Sequence, residues 1–444
     1  MLVDKYINLA REKNPGEKEF YQTIEEVLTS IEPVLKAHPE YIENGIIERL
    51  IEPERFIIFR VPWVDDKGKV QVNRGYRCEF NSTLGPYKGG LRFSKNVYPG
   101  IIKFLAFEQI FKNSLTGLPM GGGKGGSDFD PTGKSDMEIM RFCQNFMNEL
   151  YKYIGPNTDV PAGDLGVSGK EIGYLFGEYK KLKSSFDGVL TGKPISSGGL
   201  KGRAEATGYG IVFFLNEVLK HENDTLKGKT CVVSGYGNVS WGTIKKLDSL
   251  GAKVVTISGS DGYIYDEDGI TGDKIDYLLE MRKGKLGAES FAKKYKSAKF
   301  FKGKKPWEVK ADIYIPCATQ NEIDMDEAKL ILDNGGKYLI EGANMPTSNE
   351  AITFLMNNKV IVAPSKAANS GGVACSCIEM SQNARHEIFS EEYVYSKLEE
   401  IMINIHKDIC DASSRYGLGY NLVKGANIKG FERVAEGMMA QGVV

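Results

Sequence analysis

Histidine is scarce in this sequence: His38, His221, His386 and His406 are the only four, and they stand far apart and outside every motif described below. That scarcity argues against a histidine-based catalytic triad or zinc centre. No run of 18 apolar residues occurs, so no membrane-crossing helix is expected. The N-terminus, MLVDKYINLAREKNPGEKEF, is interrupted by charge from Asp4 onward and holds no apolar signal-peptide core. An excess of either charge is missing too: 57 basic residues meet 58 acidic ones, which offers neither a nucleic-acid surface nor a polybasic membrane anchor. The seven cysteines are odd in number and scattered. Cys375 and Cys377 form their one close pair, a weak metal signal, so reduced and mostly buried thiols in a cytoplasmic protein are expected, with no bound metal. Internal repeats and low-complexity segments are absent.

Glycine, by contrast, is abundant at 51 residues, which points to many tight turns or close backbone approaches. At 444 residues the chain exceeds what one core usually holds, so two domains are expected. The first ~55 residues read as largely helical. Phe20, Ile24, Val27, Leu28 and Ile31 recur at helical spacing there, and Pro33 is expected to end that run. Phe56 to Arg60 and Val70 to Phe80 read as strands. Ser135 and Glu138 form a capping box that opens a helix to Tyr151. The character changes near Gly198-Gly199 and Gly202. Beyond them, short β-branched runs (Thr230 to Ser234, Lys253 to Ser258, Asp312 to Pro316, Lys337 to Glu341, Val360 to Ala363) alternate with helical patterns. That alternation predicts a parallel, doubly wound sheet. Glu391 to Tyr416 reads as a long amphipathic helix with Val394, Leu398, Ile401, Ile405 and Ile409 on one stripe.

Within the second half, the strand Cys231-Val232-Val233-Ser234 runs into Gly235-Tyr236-Gly237-Asn238-Val239-Ser240, a G-x-G-x-x-S turn followed by a helix and a second strand from Lys253. In that setting Gly235 permits the tight turn and Gly237 lets the backbone approach a pyrophosphate. The helix N-terminus then offers its unpaired N–H groups to the anion. The small Ser240 suits the contact between helix and sheet. The second strand ends Ser258-Gly259-Ser260-Asp261, with no cation before Lys274. Asp261 would repel a ribose 2′-phosphate and accept a ribose hydroxyl, which favours NAD over NADP. Ser258 and Ser260 could still hydrogen-bond a phosphate, and Arg282 and Lys283 stand farther along, so NADP stays open as the alternative.

The first half holds three unusual lysines: Lys88 in GPYKGG, Lys112 in FKNS and Lys124 in PMGGGKGG. Glycines flanking a lysine help neither helix nor strand; they are read as letting the backbone crowd a small ligand. A lysine's pKa falls readily on desolvation, which suits it to proton work. The alternative is a solvated surface charge, which fits Lys112 better than Lys124. Asp164, in the turn Val160-Pro161-Ala162-Gly163-Asp164, is a candidate acid–base group or a plain Gly-Asp turn.

These segments together resemble the hexameric glutamate dehydrogenases of bacterial type. The resemblance rests on GPYKGGLRF (85–93), LPMGGGKGGS (118–127), TDVPAGDLGV (158–167), EATGYG (205–210), PCATQN (316–321), SKAANSGGV (365–373) and KGANIKGF (424–431). It implies reversible oxidation of L-glutamate to 2-oxoglutarate and ammonia, with NAD or NADP taking the hydride, in a homohexamer. It implies that Lys88 and Ser376 hold the side-chain carboxylate, that Lys112, with Gln109 beside it, holds the α-carboxylate, and that Lys124 and Asp164 are the catalytic pair. A further substrate contact is implied at Gly163, and cofactor contacts at Thr207, Gly235, Tyr236, Gly237, Asn238, Val239, Ser260, Asp261, Ala318, Asn344 and Asn369. Residues 1–199, joined by a returning segment 420–444, would form an α/β substrate and assembly domain. Residues 200–419 would form a Rossmann-like dinucleotide-binding domain. The chain departs from the pattern at Leu200-Lys201-Gly202, at Ser370 and at Cys377, none of which removes a catalytic group. A dehydrogenase for apolar amino acids would carry an apolar residue in place of Lys88, and a dead nucleotide sensor would lack Lys124 or Asp164; neither substitution is present.

Overall fold

A computed structural model describes residues 3–444. The chain opens with α1 (Asp4–Lys13), α2 (Lys18–Ala37), α3 (Pro39–Glu43) and α4 (Ile46–Leu50). Phe20, Ile24, Val27, Leu28 and Ile31 of α2 are buried together, as their spacing requires. The expected stop at Pro33 does not occur. Val34 and Leu35 are buried in the same core, and their burial outweighs the hydrogen bond lost at the proline, so the helix runs on to Ala37.

The next elements are β1 (Arg55–Val64), β2 (Val70–Asn81), β3 (Tyr87–Phe93), α5 (Pro99–Leu115), β4 (Gly122–Ser127), α6 (Asp136–Leu150), β5 (Asp159–Gly163) and α7 (Gly169–Lys183). The strands form one mixed sheet in the order β1-β2-β4-β3-β5, with β3 parallel to both of its neighbours. At the start of α6 the capping box closes as expected, Glu138 N donating to Ser135 Oγ and Ser135 N to Glu138 Oε2, both at 3.1 Å.

α5 lies directly against β4. A Cβ on Gly122 would stand 2.5 Å from Ile110 Cγ1 and 2.8 Å from the Ile110 nitrogen. One on Gly125 would meet Leu91 Cδ2 at 2.7 Å, and one on Gly89 would meet the Gly123 carbonyl oxygen at 1.6 Å. This corrects the sequence reading. The glycines around Lys124 give space to the helix and the adjacent strand, so β4 is close to bare backbone with one long side chain.

The second half comprises α8 (Ala206–His221), β6 (Thr230–Val233), α9 (Asn238–Ser249), β7 (Lys253–Val254), β8 (Thr256–Gly259), β9 (Gly262–Asp266), α10 (Asp273–Lys283), α11 (Glu289–Lys294), β10 (Ala298–Lys302), β11 (Ile313–Ile315) and α12 (Met325–Asp333). β12 (Tyr338–Ile340), α13 (Asn349–Asn357), β13 (Ile361–Ala363), α14 (Ser365–Ala368), α15 (Gly371–Arg385), α16 (Glu391–Arg415) and α17 (Leu422–Gln441) complete it. A five-stranded parallel sheet has the order β13-β12-β11-β6-β7. Alternate residues face opposite layers: Cys231, Val233, Ile313 and Ile315 enter one core, and Val232, Tyr314 and Leu339 the other. Burial on both faces is why these strands read as unbroken β-branched runs. The stretch 253–258, expected as one strand, is two. β7 stays in the parallel sheet, whereas β8 leaves it at Val255 and pairs antiparallel with β9, which pairs with β10.

α16 buries Val394, Leu398, Ile401, Ile405 and Ile409. The chain then turns back, and α17 sets Ile428, Phe431, Val434 and Met438 into the core that holds Phe20 and Phe107. Arg433 fastens α17 to the end of α5 through the Ser114 carbonyl at 2.7 Å and the Gly117 carbonyl at 2.8 Å. Among the described residues no helix is long and apolar enough to cross a membrane.

The packing of β4 predicts opposite effects for two glycine substitutions. Gly122→Ala should cost ~1–3 kcal/mol, the usual penalty of overpacking. Gly177→Ala, in the exposed interior of α7 where an added Cβ meets nothing within 4 Å, should stabilise by about 0.5–1 kcal/mol. Chemical denaturation of both variants beside the parent checks the pair.

Candidate active site

A cleft of ≈ 600 Å³ separates the mixed sheet from the carboxyl ends of the parallel strands and is lined from both sides. Lys88, Gln109, Lys112, Lys124, Gly163, Asp164, Thr207, Asn238, Val239, Ala318, Asn344, Asn369 and Ser376 all line it. Residues that are up to 288 positions apart in sequence, Lys88 and Ser376, therefore share one cavity. Gly235, Tyr236, Gly237, Ser260 and Asp261 lie outside its wall, around the turn between β6 and α9 and the β8–β9 hairpin.

Lys88 comes from β3 and is buried, 1 % exposed, with its ammonium donating to the Thr191 hydroxyl at 2.9 Å. Burial first, then the Arg77 charge, depresses its pKa to about 7 against a weaker opposing pull from Glu379. Arg77 is itself buried and paired with Asp159, Nε to Oδ2 at 2.7 Å, and its Nη1 donates to the Gly89 carbonyl at 3.0 Å, which fixes the strand beside Lys88. Ser376, on α15, is buried and donates to the Gly372 carbonyl at 3.2 Å. Burial pushes the Cys377 thiol up to about 11, with the nearby Lys88 charge offsetting part of the rise.

Lys112 projects from α5, and burial together with the Lys124 charge lowers it to about 8. One turn back, Gln109 donates to Asn113 Oδ1 at 2.6 Å. Asn113 in turn holds the Lys88 carbonyl at 3.0 Å and the Gly121 carbonyl at 2.5 Å, so α5 fixes the backbone on which two of the lysines ride.

Lys124 Nζ stands 2.9 Å from Asp164 Oδ2, and Arg92 Nε donates to the same oxygen at 2.9 Å. Burial lowers the Lys124 pKa, and Asp164 only partly restores it. For Asp164, burial would raise the carboxyl; the Lys124 and Arg92 charges overcome it and hold the group well below the usual carboxylate range. Arg92 lies inside the GLRF stretch, but sequence reasoning gave it no role; only the fold brings it to Asp164. Thr191 and Arg203, which also reach this region, belong to no sequence pattern that would have marked them.

The β6–α9 turn suits a dinucleotide. Gly235 has φ +76°, and a Cβ there would meet Ser240 Oγ at 2.7 Å. A Cβ on Gly237 would meet nothing within 4 Å, so its backbone faces open space at the start of α9, which no side chain caps. Open backbone at an uncapped helix N-terminus fits a pyrophosphate. Ser240 donates to the Ser234 carbonyl at 2.9 Å, holding helix to sheet. Two residues of the hairpin also carry structural hydrogen bonds. Ser258 accepts from Gly235 N at 2.9 Å and so fixes the turn, a demand on its hydroxyl that sequence could not show. Asp261 accepts from Ala288 N at 3.1 Å and Glu289 N at 3.2 Å, tying the hairpin to the start of α11, while Tyr236 donates to the Leu286 carbonyl at 2.8 Å.

A buried cluster of cations facing a dinucleotide turn across a cleft is the arrangement of an amino-acid dehydrogenase, and comparison with known proteins agrees. The family described as Glutamate/Leucine/Phenylalanine/Valine dehydrogenase matches residues 198–442, and its dimerisation domain, Glu/Leu/Phe/Val dehydrogenase, matches residues 53–181. The chain belongs to this family. It is 58% identical over 445 residues to the NAD-specific glutamate dehydrogenase of Clostridium symbiosum, covering 99% of each chain. It is 52% identical to the NADP-specific glutamate dehydrogenase of Helicobacter pylori, covering all of both. A solved glutamate dehydrogenase superposes with a TM-score of 0.98 at 58% identity, over 100% of this chain and 99% of that one.

The buried Lys88 carries a stability cost with a defined pH dependence. Its folded pKa of about 7 lies below the ordinary lysine value of 10.5, so the unfolded chain binds more protons between those limits and stability rises with pH across them. Lys88→Met should therefore stabilise the protein most at and below pH ~7, with the gain shrinking toward pH ~10 as the parent lysine loses its charge. Urea unfolding at a series of pH values measures it; a gain independent of pH would contradict the assignment.

Proposed function

We propose that the protein catalyses the reversible oxidative deamination of L-glutamate to 2-oxoglutarate and ammonia, with NAD as the preferred hydride acceptor. The observation that carries this reading is Lys88: a fully buried ammonium held by one neutral hydroxyl, with Lys112 and Lys124 lining the same cleft. A desolvated cation held this way favours an anionic partner, because leaving either charge unpaired is costly. Two carboxylates on one substrate meet that demand, and an apolar side chain does not. Lys88 and Ser376 bind the side-chain carboxylate, and Lys112, beside Gln109, binds the α-carboxylate, with Gly163 lying against the substrate.

A bound dinucleotide would supply the acceptor for the hydride that leaves the substrate Cα. The chain's own groups do the rest. Fixing both carboxylates orients Cα toward the nicotinamide side of the cleft. Lys124, with its lowered pKa, removes a proton from the water that attacks the imine carbon. Asp164 passes protons to and from the amino nitrogen. Arg92 sets the basicity of Asp164 and holds it toward Lys124. Gly235, Tyr236, Gly237, Asn238 and Val239 hold the pyrophosphate, Ser260 and Asp261 the adenosine ribose, and Thr207, Ala318, Asn344 and Asn369 the nicotinamide half. Residues 1–199 with 420–444 act as the substrate and assembly unit and 200–419 as the cofactor unit; the core that α17 shares with α2 and α5 supports that division. The protein works as a homohexamer in the cytoplasm. Support comes from a solved relative, the hetero-hexameric glutamate dehydrogenase of Thermus thermophilus (27% identity, TM-score 0.81), and from seven free thiols, six of them buried.

Absorbance of the reduced nicotinamide, with glutamate and either cofactor, tests the reading directly. kcat/KM should favour NAD; a ratio favouring NADP, as the name of the Helicobacter pylori relative would suggest, would reverse the cofactor assignment. Lys124→Ala and Asp164→Asn should each lower kcat by at least ~100-fold, the usual scale for acid–base groups, while both remain folded and bind cofactor. A variant that keeps more than roughly a tenth of parent kcat would remove that residue from the proton chemistry.

A further inference from the structure

Behind the cleft, on the far side of α5, lies a second cavity of ≈ 540 Å³. Glu26 of α2, Glu108 of α5 and Glu341 after β12 line it, with Lys366 among them. Lys366 donates to Glu26 at 3.2 Å and to Asn427 at 2.6 Å, and stands 3.9 Å from Glu108. One lysine therefore faces three carboxylates. Glu341 is 3 % exposed; one of its oxygens accepts from Ser365 N at 2.8 Å, and Oε1 has no hydrogen-bond partner. Burial pushes the Glu341 carboxyl up to about 7, with the Ser365 N–H and the Thr347 hydroxyl opposing the rise, and the Thr347 hydroxyl, equally buried, closes no hydrogen bond. A buried carboxylate oxygen left open beside a polar cavity calls for a donor, and a cation bearing N–H groups supplies one.

A third, small space lies between the two cavities and shares lining residues with both. This space of ≈ 20 Å³ is lined by Lys112 and Lys124, which belong also to the cleft, and by Glu108, Ser365 and Lys366, which belong also to the rear cavity. That is room for one water-sized molecule. A space of that size can hold a molecule the size of ammonia but not a dicarboxylic acid or a dinucleotide. Lys112 and Lys124 stand at the cleft end and Glu26, Glu108 and Glu341 at the rear, with Lys366, paired to Glu26, lining the small space as well, so the acidic groups all lie on the rearward side.

We propose that this passage is a rear route for ammonium, separate from the mouth through which the amino acid and cofactor enter, with the Glu26–Glu108–Glu341 cavity as its binding site. The proposal rests on the deamination reading above. It accounts for what that reading leaves unused: buried carboxylates beside a cluster of substrate lysines, a carboxylate oxygen without a partner, and a water-sized opening directly behind the catalytic lysine.

Three measurements test it. With 2-oxoglutarate, reduced nicotinamide and varied ammonium, Glu108→Gln should raise KM for ammonium about tenfold, the scale of one charge-assisted hydrogen bond, and leave KM for 2-oxoglutarate within about twofold. Thr29→Trp, at an exposed position on the rear rim, should also raise KM for ammonium and cannot act through the cleft. Rubidium ion, a heavy stand-in for ammonium, should appear beside Glu341 by anomalous diffraction in crystals of the parent protein. Absence of rubidium from the rear cavity overturns the proposal. So does an unchanged KM for ammonium in both variants, even with rubidium bound. Failure of the deamination reading is distinct: the parent protein would then not oxidise glutamate, whereas rubidium occupancy would still report on the cavity.

Discussion

The structure depends on the approach of α5 to β4, where the helix meets a strand that presents no side chain at Gly122. Where Gly122 meets Ile110 there is no room for a single methyl group. This closeness lets Asn113 on the helix reach the carbonyls of Lys88 and Gly121 and lets Lys112 share a cavity with Lys124. Rigid, short-range backbone contacts fix the lysines more tightly than loops could, and placement within a fraction of an ångström is what orientation of two carboxylates requires.

Once the lysines are placed, electrostatics differentiates them. Lys88 loses basicity through burial and the nearby Arg77, and meets only a hydroxyl. Lys124 meets a carboxylate whose own basicity is suppressed by a second cation, Arg92. Residues of one type thus acquire different protonation behaviour from their surroundings. The arrangement is costly to fold around, and the hydrophobic cores on both sides of the cleft offset that cost.

Much of this was legible in the sequence. The β6–α9 turn, the alternating strands, the capping box before α6 and the stripe on α16 are local patterns with local causes, and they survive folding. Lys88, Lys124 and Asp164 announced themselves through improbable neighbours. What escaped was set by distance. Arg92 is 72 residues from Asp164 and Thr191 is 103 from Lys88, and neither carries a local signal. Pro33 shows tertiary burial overriding a local rule, and the break at Val255 shows a strand redirected by partners, β9 and β10, that a period-two pattern does not identify. The glycines about Lys124 show in the sequence that space is needed there, but not that α5 and the adjacent strands fill it.

The return of α17 has a mechanical consequence. With the last helix fastened to α5 through Arg433, the backbone passes between the two sides of the cleft twice, near Gly199 and near Asn421. A body hung at one point can swivel in every direction; hung at two, it turns only about the line between them. Any rotation of one side of the cleft against the other would thereby be confined to a single angular coordinate.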